Sequence, residues 1–319
     1  MLKNMISRKL FLETGPATLV PLVHIPLLKE APRKEGEYKV VEDSLGDLCH
    51  FYGDFSGYHI YLIVSTFKKR IIPDSIIYYD KDNGKYSVSI EVTLNDGKTK
   101  ILNLMNCQAP LCEKSHIGVQ YPVQITLEHF SPGTPDALKF HFASSSAKFK
   151  FSNNLIPFIH ENERESGMDL FQLKIEYIGK AIGKDGTREV SDRLGNGHST
   201  EARILNEFLH KKTNLDAYAV LFKPGQLTDD LNNSSSLLSY TQIIDILEKS
   251  LISLFLPEKN VQSRNFPKDG SESHLLLLRN KFSEIYITAE SPADYGYLYS
   301  DYVQPEEKHR FFLPILGEH

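Results

Sequence analysis

A phenol, a guanidinium, an imidazole and a carboxylate stand in the second half of this chain at Tyr177, Arg193, His198 and Glu248. In that order they are the groups that metal-assisted phosphodiester cleavage would need. Glu248 is the most telling. It lies four residues after Ile244 and three and four before Leu251 and Ile252, so its row on a helix is otherwise apolar. A carboxylate there loses hydration that only a cation or strong donors can replace. A divalent metal would meet that need, and oxygen ligation suits Mg²⁺ or Mn²⁺. A salt bridge to a neighbouring Arg or Lys would meet it equally, and the pattern alone does not choose.

The other groups carry similar pairs of readings. Arg193 could hold a phosphate bidentately and stabilise charge at phosphorus, or be an exposed helix arginine. Arg188, on the first turn of the same short helix, is a second phosphate candidate. His198 could act as base or orient water, or lie on the surface near a helix start. Tyr177 could position or deprotonate water if a metal or Lys180 lowers its pKa, or pack in the core. Gly179, Gly183 and Gly186 with Lys180 and Lys184 have the composition of a phosphate cradle, because glycine lets backbone N–H groups approach an anion. They lack the P-loop order of Gly-Lys-Ser/Thr at a helix start, which excludes a nucleoside triphosphatase of that type. A plain hairpin is the competing reading.

The elements that must position these groups are legible. Phe171 to Ile178 reads as a strand that enters the glycine-lysine turn. Thr187 can cap a short helix carrying Val190, Arg193 and Leu194, and Ser199 a second with Ile204, Leu205, Phe208 and Leu209 on one face. Leu215 to Phe222 is a strand stopped by Lys223-Pro224-Gly225. Ser239 with Gln242 predicts a capping box for a long helix whose buried stripe is Ile243, Ile244, Leu247, Leu251, Leu254 and Phe255, ended by Pro257. Leu275 to Leu278, Glu284 to Thr288 and Tyr295 to Val303 are expected as strands or loops.

Residues before about 150 read as strands. Tyr58 to Val64 is a continuous β-rich run. Ile76 to Tyr79, Tyr86 to Val92 and Thr99 to Leu104 are joined by turns at Asn83-Gly84 and Asn95-Asp96-Gly97. Val123 to Phe130 and Leu138 to Phe142 complete a set suited to a β-sandwich, a recognition or assembly module with no chemistry of its own. Its strongest metal pattern, Cys107, Cys112 and His116 with Cys49 or His50, matches no tight zinc knuckle, so buried structural cysteines are expected.

With 319 residues, 41% apolar and 24% charged, the chain can bury two modest cores. A net charge of −5 gives no global field to draw it onto nucleic acid, so basic groups must be concentrated locally or assisted by a metal. An odd number of cysteines, three, argues for a reducing compartment. With no apolar stretch long enough to span a bilayer and no secretory signal, a cytoplasmic location is expected.

From Tyr177-Ile178-Gly179 through Arg193 and His198 to Glu248, and on through the Leu-Ile-x-x-Phe-x-Pro-x-x-Asn run of Leu251 to Asn260, the chain resembles the GIY-YIG nuclease superfamily, roughly over residues 165 to 260. The resemblance implies that Glu248 binds one divalent metal (Mg²⁺ or Mn²⁺), that Arg193 contacts the scissile phosphate, that Tyr177 and His198 handle water and protons, and that Asn260 braces the site. Gly179, Lys180, Lys184 and Arg188 would join Asn260 in binding substrate. The family's opening Gly-Ile-Tyr element is not found in its expected place, where Gly167-Met168-Asp169 supplies no phenol. The expected fold is α+β. A β-sandwich-like domain at 1–150 precedes a small GIY-YIG-like domain at 151–319, built as an antiparallel sheet flanked by helices. The expected activity is that of a metal-dependent endonuclease acting on DNA or RNA, suited to restriction or phage defence. Homo-oligomerisation or a protein partner would be served by the β domain, and no membrane is involved. The alternative is a non-catalytic binding or assembly protein that keeps the fold without the chemistry.

Overall fold

The computed structural model describes residues 8–42, 48–114, 118–129, 135–143, 145–150, 169–183, 188–194, 203–204, 206–208, 214–224, 228–229, 237–292 and 295–315. In chain order the strands are β1 (Arg8–Glu13), β2 (Ala17–Pro21), β3 (Tyr38–Glu42), β4 (Leu48–Tyr52), β5 (Ile60–Phe67), β6 (Lys69–Ile71), β7 (Ile77–Asp80), β8 (Lys85–Thr93), β9 (Thr99–Gln108), β10 (Cys112–Lys114), β11 (Gly118–Gln120), β12 (Gln124–Glu128), β13 (Ala137–Phe142) and β14 (Ser145–Lys150). They continue as β15 (Leu173–Lys180), β16 (Leu215–Phe222), β17 (Thr228–Asp229), β18 (Phe282–Glu290), β19 (Leu298–Tyr299) and β20 (Lys308–Pro314). The α-helices among the described residues include α1 (Val190–Leu194), α2 (Tyr240–Phe255) and α3 (Glu272–Arg279). The protein is therefore mixed and rich in β-structure, with few helices.

A five-stranded sheet in the order β19-β15-β5-β16-β2 is the frame of the molecule. Its middle strand, β5, reads as an uninterrupted apolar run because both of its faces are covered. Ile60, Leu62 and Val64 join a core with Ile244, Leu247, Leu251 and Phe255 of α2. Tyr61 and Ile63 point the other way, into a second core with Ile25, Leu28, Val190, Ile204 and Phe208. The first core continues into a four-stranded sheet, β17-β1-β18-β20, through Leu10, Leu12, Ile285 and Ile287.

This frame draws β2 and β5 from before residue 150 and β15, β16 and β19 from after it, so strand pairing does not follow a division of the chain there. What behaves as a unit of its own is the stretch between β5 and β15. There β6, β7, β8 and β9 form one sheet and β12, β13 and β14 another. They enclose a separate core of Tyr86, Val88, Ile90, Val92, Leu102, Leu104 and Phe140. That module hangs from two adjacent strands of the frame. At its base Lys69 is buried, donating to the Phe67 carbonyl at 2.7 Å and the Thr66 hydroxyl at 3.0 Å, with Nζ 4.8 Å from the Phe171 ring centre. Cys107 belongs to this core as a free thiol, pushed up to about 12 by burial. It is packed rather than presented to a metal.

Several local signals behave as chemistry requires. Ser239 accepts from the Gln242 amide and Gln242 returns the bond to the Ser239 amide, so α2 begins with a capping box. It ends at Leu256, whose φ of 48° places it in the left-handed region before Pro257. The leucine run at 275–278, expected as strand or loop, is instead helical within α3. Ser271 caps that helix by accepting from the His274 amide, Glu272 lies at its positive end, and Leu277 alone is driven fully into the core. Strand β20 was not anticipated either. It pairs antiparallel with β18 and alternates outward Lys308, Arg310 and Phe312 with inward His309, Phe311 and Leu313. Among the described residues no helix is long and apolar enough to cross a membrane.

Candidate functional site

The Tyr177 strand, β15, ends against the beginning of β5. The two run antiparallel, with Tyr177 opposite Ile63, Ile178 opposite Leu62, Gly179 opposite Tyr61 and Lys180 opposite Ile60. A second tyrosine therefore faces the Tyr-Ile-Gly step across the ladder. The rings of Tyr61 and Tyr177 lie 6.2 Å apart at 41°. Both pass so close over Gly179 that a Cβ there would come within 2.5 Å of the Tyr61 ring carbon Cζ and hydroxyl oxygen, and 2.9 Å of Tyr177 Cε1. Gly179 is needed for lack of a side chain, not for an unusual backbone angle. Tyr61 is wholly buried, Tyr177 partly, and Val190 and Leu194 of α1 pack in the same cluster.

Asn260 fixes this strand end from the opposite edge. Its Oδ1 accepts from the Ile178 amide at 2.8 Å and its Nδ2 donates to the Ile178 carbonyl at 2.9 Å. The side-chain amide substitutes for one residue of a neighbouring strand, which satisfies both backbone groups of a buried position. Pro257, the αL residue Leu256 and the amide of Asn260 bonded to the Pro257 carbonyl turn the chain so that this side chain faces inward.

Lys180 faces α2. Its ammonium is hydrogen-bonded to Asp245 Oδ1 and, at 2.5 Å, to Glu248 Oε2. Asp245 precedes Glu248 by three residues, so both carboxylates project from one helix face toward the strand. The second Asp245 oxygen accepts from Lys249 at 2.7 Å and from the Ser273 hydroxyl, which fixes its rotamer. Lys249 also donates to Ser273 at 2.7 Å, tying α2 to α3. A cavity of about 300 Å³ between these helices reaches Asp245, Lys249 and Ser273.

These contacts govern the charges. Burial pushes the Glu248 carboxyl above its usual range and Asp245 adds to the push. The attraction of Lys180, its hydrogen bond and the Arg193 guanidinium pull the other way without cancelling it. Burial also opposes the ionised form of Asp245, yet hydrogen bonds from Lys180, Lys249 and Ser273 win and hold it at about 2. For Lys180 burial alone would lower the ammonium's pKa, but Glu248 and Asp245 leave it raised.

Of the residues singled out in the sequence, Tyr177, Gly179, Lys180, Glu248 and Asn260 thus meet at one end of β15, and Arg193 lies within electrostatic reach of Glu248. Arg188 is drawn in by its backbone. Its carbonyl and that of Ala181 face the buried His59 Nδ1 at 3.3 and 2.9 Å, so His59 closes the two ends of the glycine-lysine turn. His198 and Lys184 lie outside the described residues, as do Thr187 and Ser199. The sequence reading missed Tyr61, His59, Asp245 and Ser273. Asp245 had a visible signal, an acid one turn before Glu248 and four residues before Lys249. Tyr61 had none, since more than a hundred residues separate it from its partner strand.

Whether these residues suit a divalent ion can be judged from their donors. Among the described residues no group of three or more His, Cys, Asp or Glu converges. Two carboxylate oxygens do aim at one point, and a hard cation such as Mg²⁺ commonly takes only one or two carboxylates beside water and phosphate oxygen. Glu248 and Asp245 are the residues that would hold such an ion, but Lys180 and Lys249 already balance them and Arg193 lies near Glu248. The Lys180 ammonium stands at the point they share. No family model, curated protein or solved structure matches this chain.

Proposed function

We propose that this protein is a metal-dependent endonuclease that hydrolyses phosphodiester bonds of DNA, or of RNA, at the end of the β5–β15 pair. The observation that carries the reading is the gathering of two phenols, Tyr61 and Tyr177, over Gly179 beside a cluster of Lys180, Arg193, Asp245 and Glu248. Buried, mutually perturbing charges concentrated beside a partly exposed phenol are what acid–base and phosphate chemistry requires, and they add little to stability. Bound at Glu248 and Asp245, Mg²⁺ or Mn²⁺ would polarise the phosphate and neutralise leaving-group charge. The chain's own groups would do the rest. Arg193 and Lys180 would hold phosphate oxygens, Tyr177, once ionised to the phenolate beside Lys180 or the ion, would take the proton of an attacking water, and Asn260 keeps β15 in register beneath them. The buried Tyr61 positions Tyr177. His198, which follows α1 in sequence, is kept as a second proton carrier. The β6–β14 module, carried between the two tyrosine strands, would choose the substrate or a protein partner, as suits a restriction or phage-defence effector.

One observation favours a second reading. Lys180, Asp245, Lys249, Ser273 and Glu248 already satisfy one another, which is also how a purely structural ion cluster would look, in a binding protein that keeps the fold without the chemistry. The two part on one assay. Plasmid, linear DNA and RNA are incubated with the purified chain and with Glu248→Ala, in Mg²⁺, in Mn²⁺ and in EDTA. The nuclease reading expects metal-dependent nicking that Glu248→Ala abolishes. Cleavage indifferent to that change, or its absence under every condition, would sink it.

A further inference from the structure

We infer that the cavity at the base of the β5–β15 pair, between the frame and the β6–β14 module, binds one neutral, polyhydroxylated sugar ring. It lies at the opposite end of the pair from Lys180 and Glu248, and the inference does not rest on the nuclease reading.

The floor and the rim of this cavity, about 210 Å³ in volume, carry the inference. The floor is one row of the frame, where Tyr299, Lys174 and Ser65 stand in register on β19, β15 and β5. A bulge in β15 at Glu176 turns that buried carboxylate into the same lining, where it accepts from Ser65 at 2.7 Å. At the rim each polar side chain is held through one atom and keeps another. Asn214 Nδ2 donates to Asn95 Oδ1 at 3.2 Å, and Gln172 Oε1 accepts from the Tyr297 amide at 2.9 Å. Asn95 Nδ2, Asn214 Oδ1, Gln172 Nε2 and the Tyr299 hydroxyl have no hydrogen-bond partner among the described residues. Burial raises the Tyr299 pKa, so that hydroxyl keeps its proton and can donate. The lining thus offers donors and acceptors that are already oriented, which lowers the entropy lost on binding.

Charge and size select the occupant. Lys174 is paired with Asp301 at 2.6 Å, and Glu176 and Asp169 line the same space. An anion would meet more carboxylates than ammonium groups, and a cation would lie beside Lys174. Neutral hydroxyls, each both donor and acceptor, match amides, carboxylates and ammonium together without adding a charge. The Tyr299 ring, next to Lys174 in the floor, gives the C–H face of a pyranose a flat apolar surface. Pockets for drug-sized molecules start at about 300 Å³, so this smaller one suits a single ring.

Saturation-transfer NMR on the full chain with glucose, galactose, mannose and N-acetylglucosamine, followed by calorimetry, tests this. At least one should bind with a millimolar Kd, the scale open to so small a ligand. Methyl glycosides run alongside decide the source. One that binds as well as its free sugar supports the end of a glycan as occupant, and binding of free sugars alone supports a monosaccharide. Asn95→Ala, at an exposed turn position, should weaken binding several-fold by removing one donor and the brace on Asn214. Tyr299→Leu should weaken it about tenfold. Thr241→Ala, in the separate cavity between α2 and α3, should change nothing. Saturation transfer to none of the sugars overturns the proposal. So does binding that a folded Asn95→Ala leaves unchanged, which decides the matter even where Tyr299→Leu fails to fold. Inorganic phosphate or putrescine bound more tightly than every sugar, and weakened by Asn95→Ala, overturns it as well.

Discussion

The two ends of the β5–β15 pair both bury charge, yet they handle it differently. At the base, where the module is attached, Ser65 donates to Glu176 at 2.7 Å and Lys69 donates to a carbonyl and a hydroxyl within three residues of itself. Ser65 and Glu176 face each other across β5 and β15, and these two Lys69 contacts come from the end of β5 just before its own strand. At the tip, Lys180 reaches from a strand to two acids on a helix, and one of them is further held by a lysine and a serine from two helices. Charge at the base locks an attachment. Charge at the tip converges from a strand and two helices on one point. The module itself repeats the first pattern. Two of its acids, Asp80 and Asp96, are lowered by hydrogen bonds from the residues of their own turns.

The contrast can be broken in four ways, from the largest effect to the smallest. Ile90→Ala in the module core, at a wholly buried position, should cost about 4 kcal/mol of stability by urea unfolding. Any folded fraction should keep wild-type Mn²⁺ affinity, and a change in that affinity would mean the module core and the tip are one unit. Asn260→Leu strands the amide and carbonyl of Ile178 and should cost on the order of 3 kcal/mol, with metal-dependent nicking lost before the fold is lost. Gly179→Ala forces a methyl against both tyrosine rings. It should cost about 2 kcal/mol and lower kcat while leaving Mn²⁺ affinity at the carboxylates unchanged.

The smallest effect is the most diagnostic, because its sign differs between the two acids. Asp245, held at about 2 against an ordinary 3.8, contributes stability that is present above pH 3.8 and is lost as pH falls toward 2. Glu248 is raised from 4.5, so its contribution is greatest below pH 4.5 and is lost as pH rises through its raised value. In denaturant titrations wild type should gain on Glu248→Gln as pH falls from neutral to 4.5. Its advantage over Asp245→Asn should vanish only below pH 3.8. Parallel pH curves for all three proteins would show that the tip is wired like the base.

Residue chemistry alone determined the local structure with some accuracy. The Leu215–Phe222 strand, the Ser239 and Gln242 box, the apolar stripe of α2 and its end before Pro257 follow from periodicity and capping, which act within a few residues. Glu248 among apolar neighbours announced a buried acid needing a cation for the same reason. The leucine run of α3 misled because four adjacent leucines carry no period, and only the Ser271 cap and the packing of Leu277 decide helix over strand. Tertiary structure alone decided that Tyr61 meets Tyr177, that the cation at Glu248 is Lys180, and that Asp245 shares it. Those pairings join strands and helices scores of residues apart, where nothing in spacing fixes register. They are chosen by which faces of β5 and β15 two cores must cover, a constraint that exists only once the whole chain has folded.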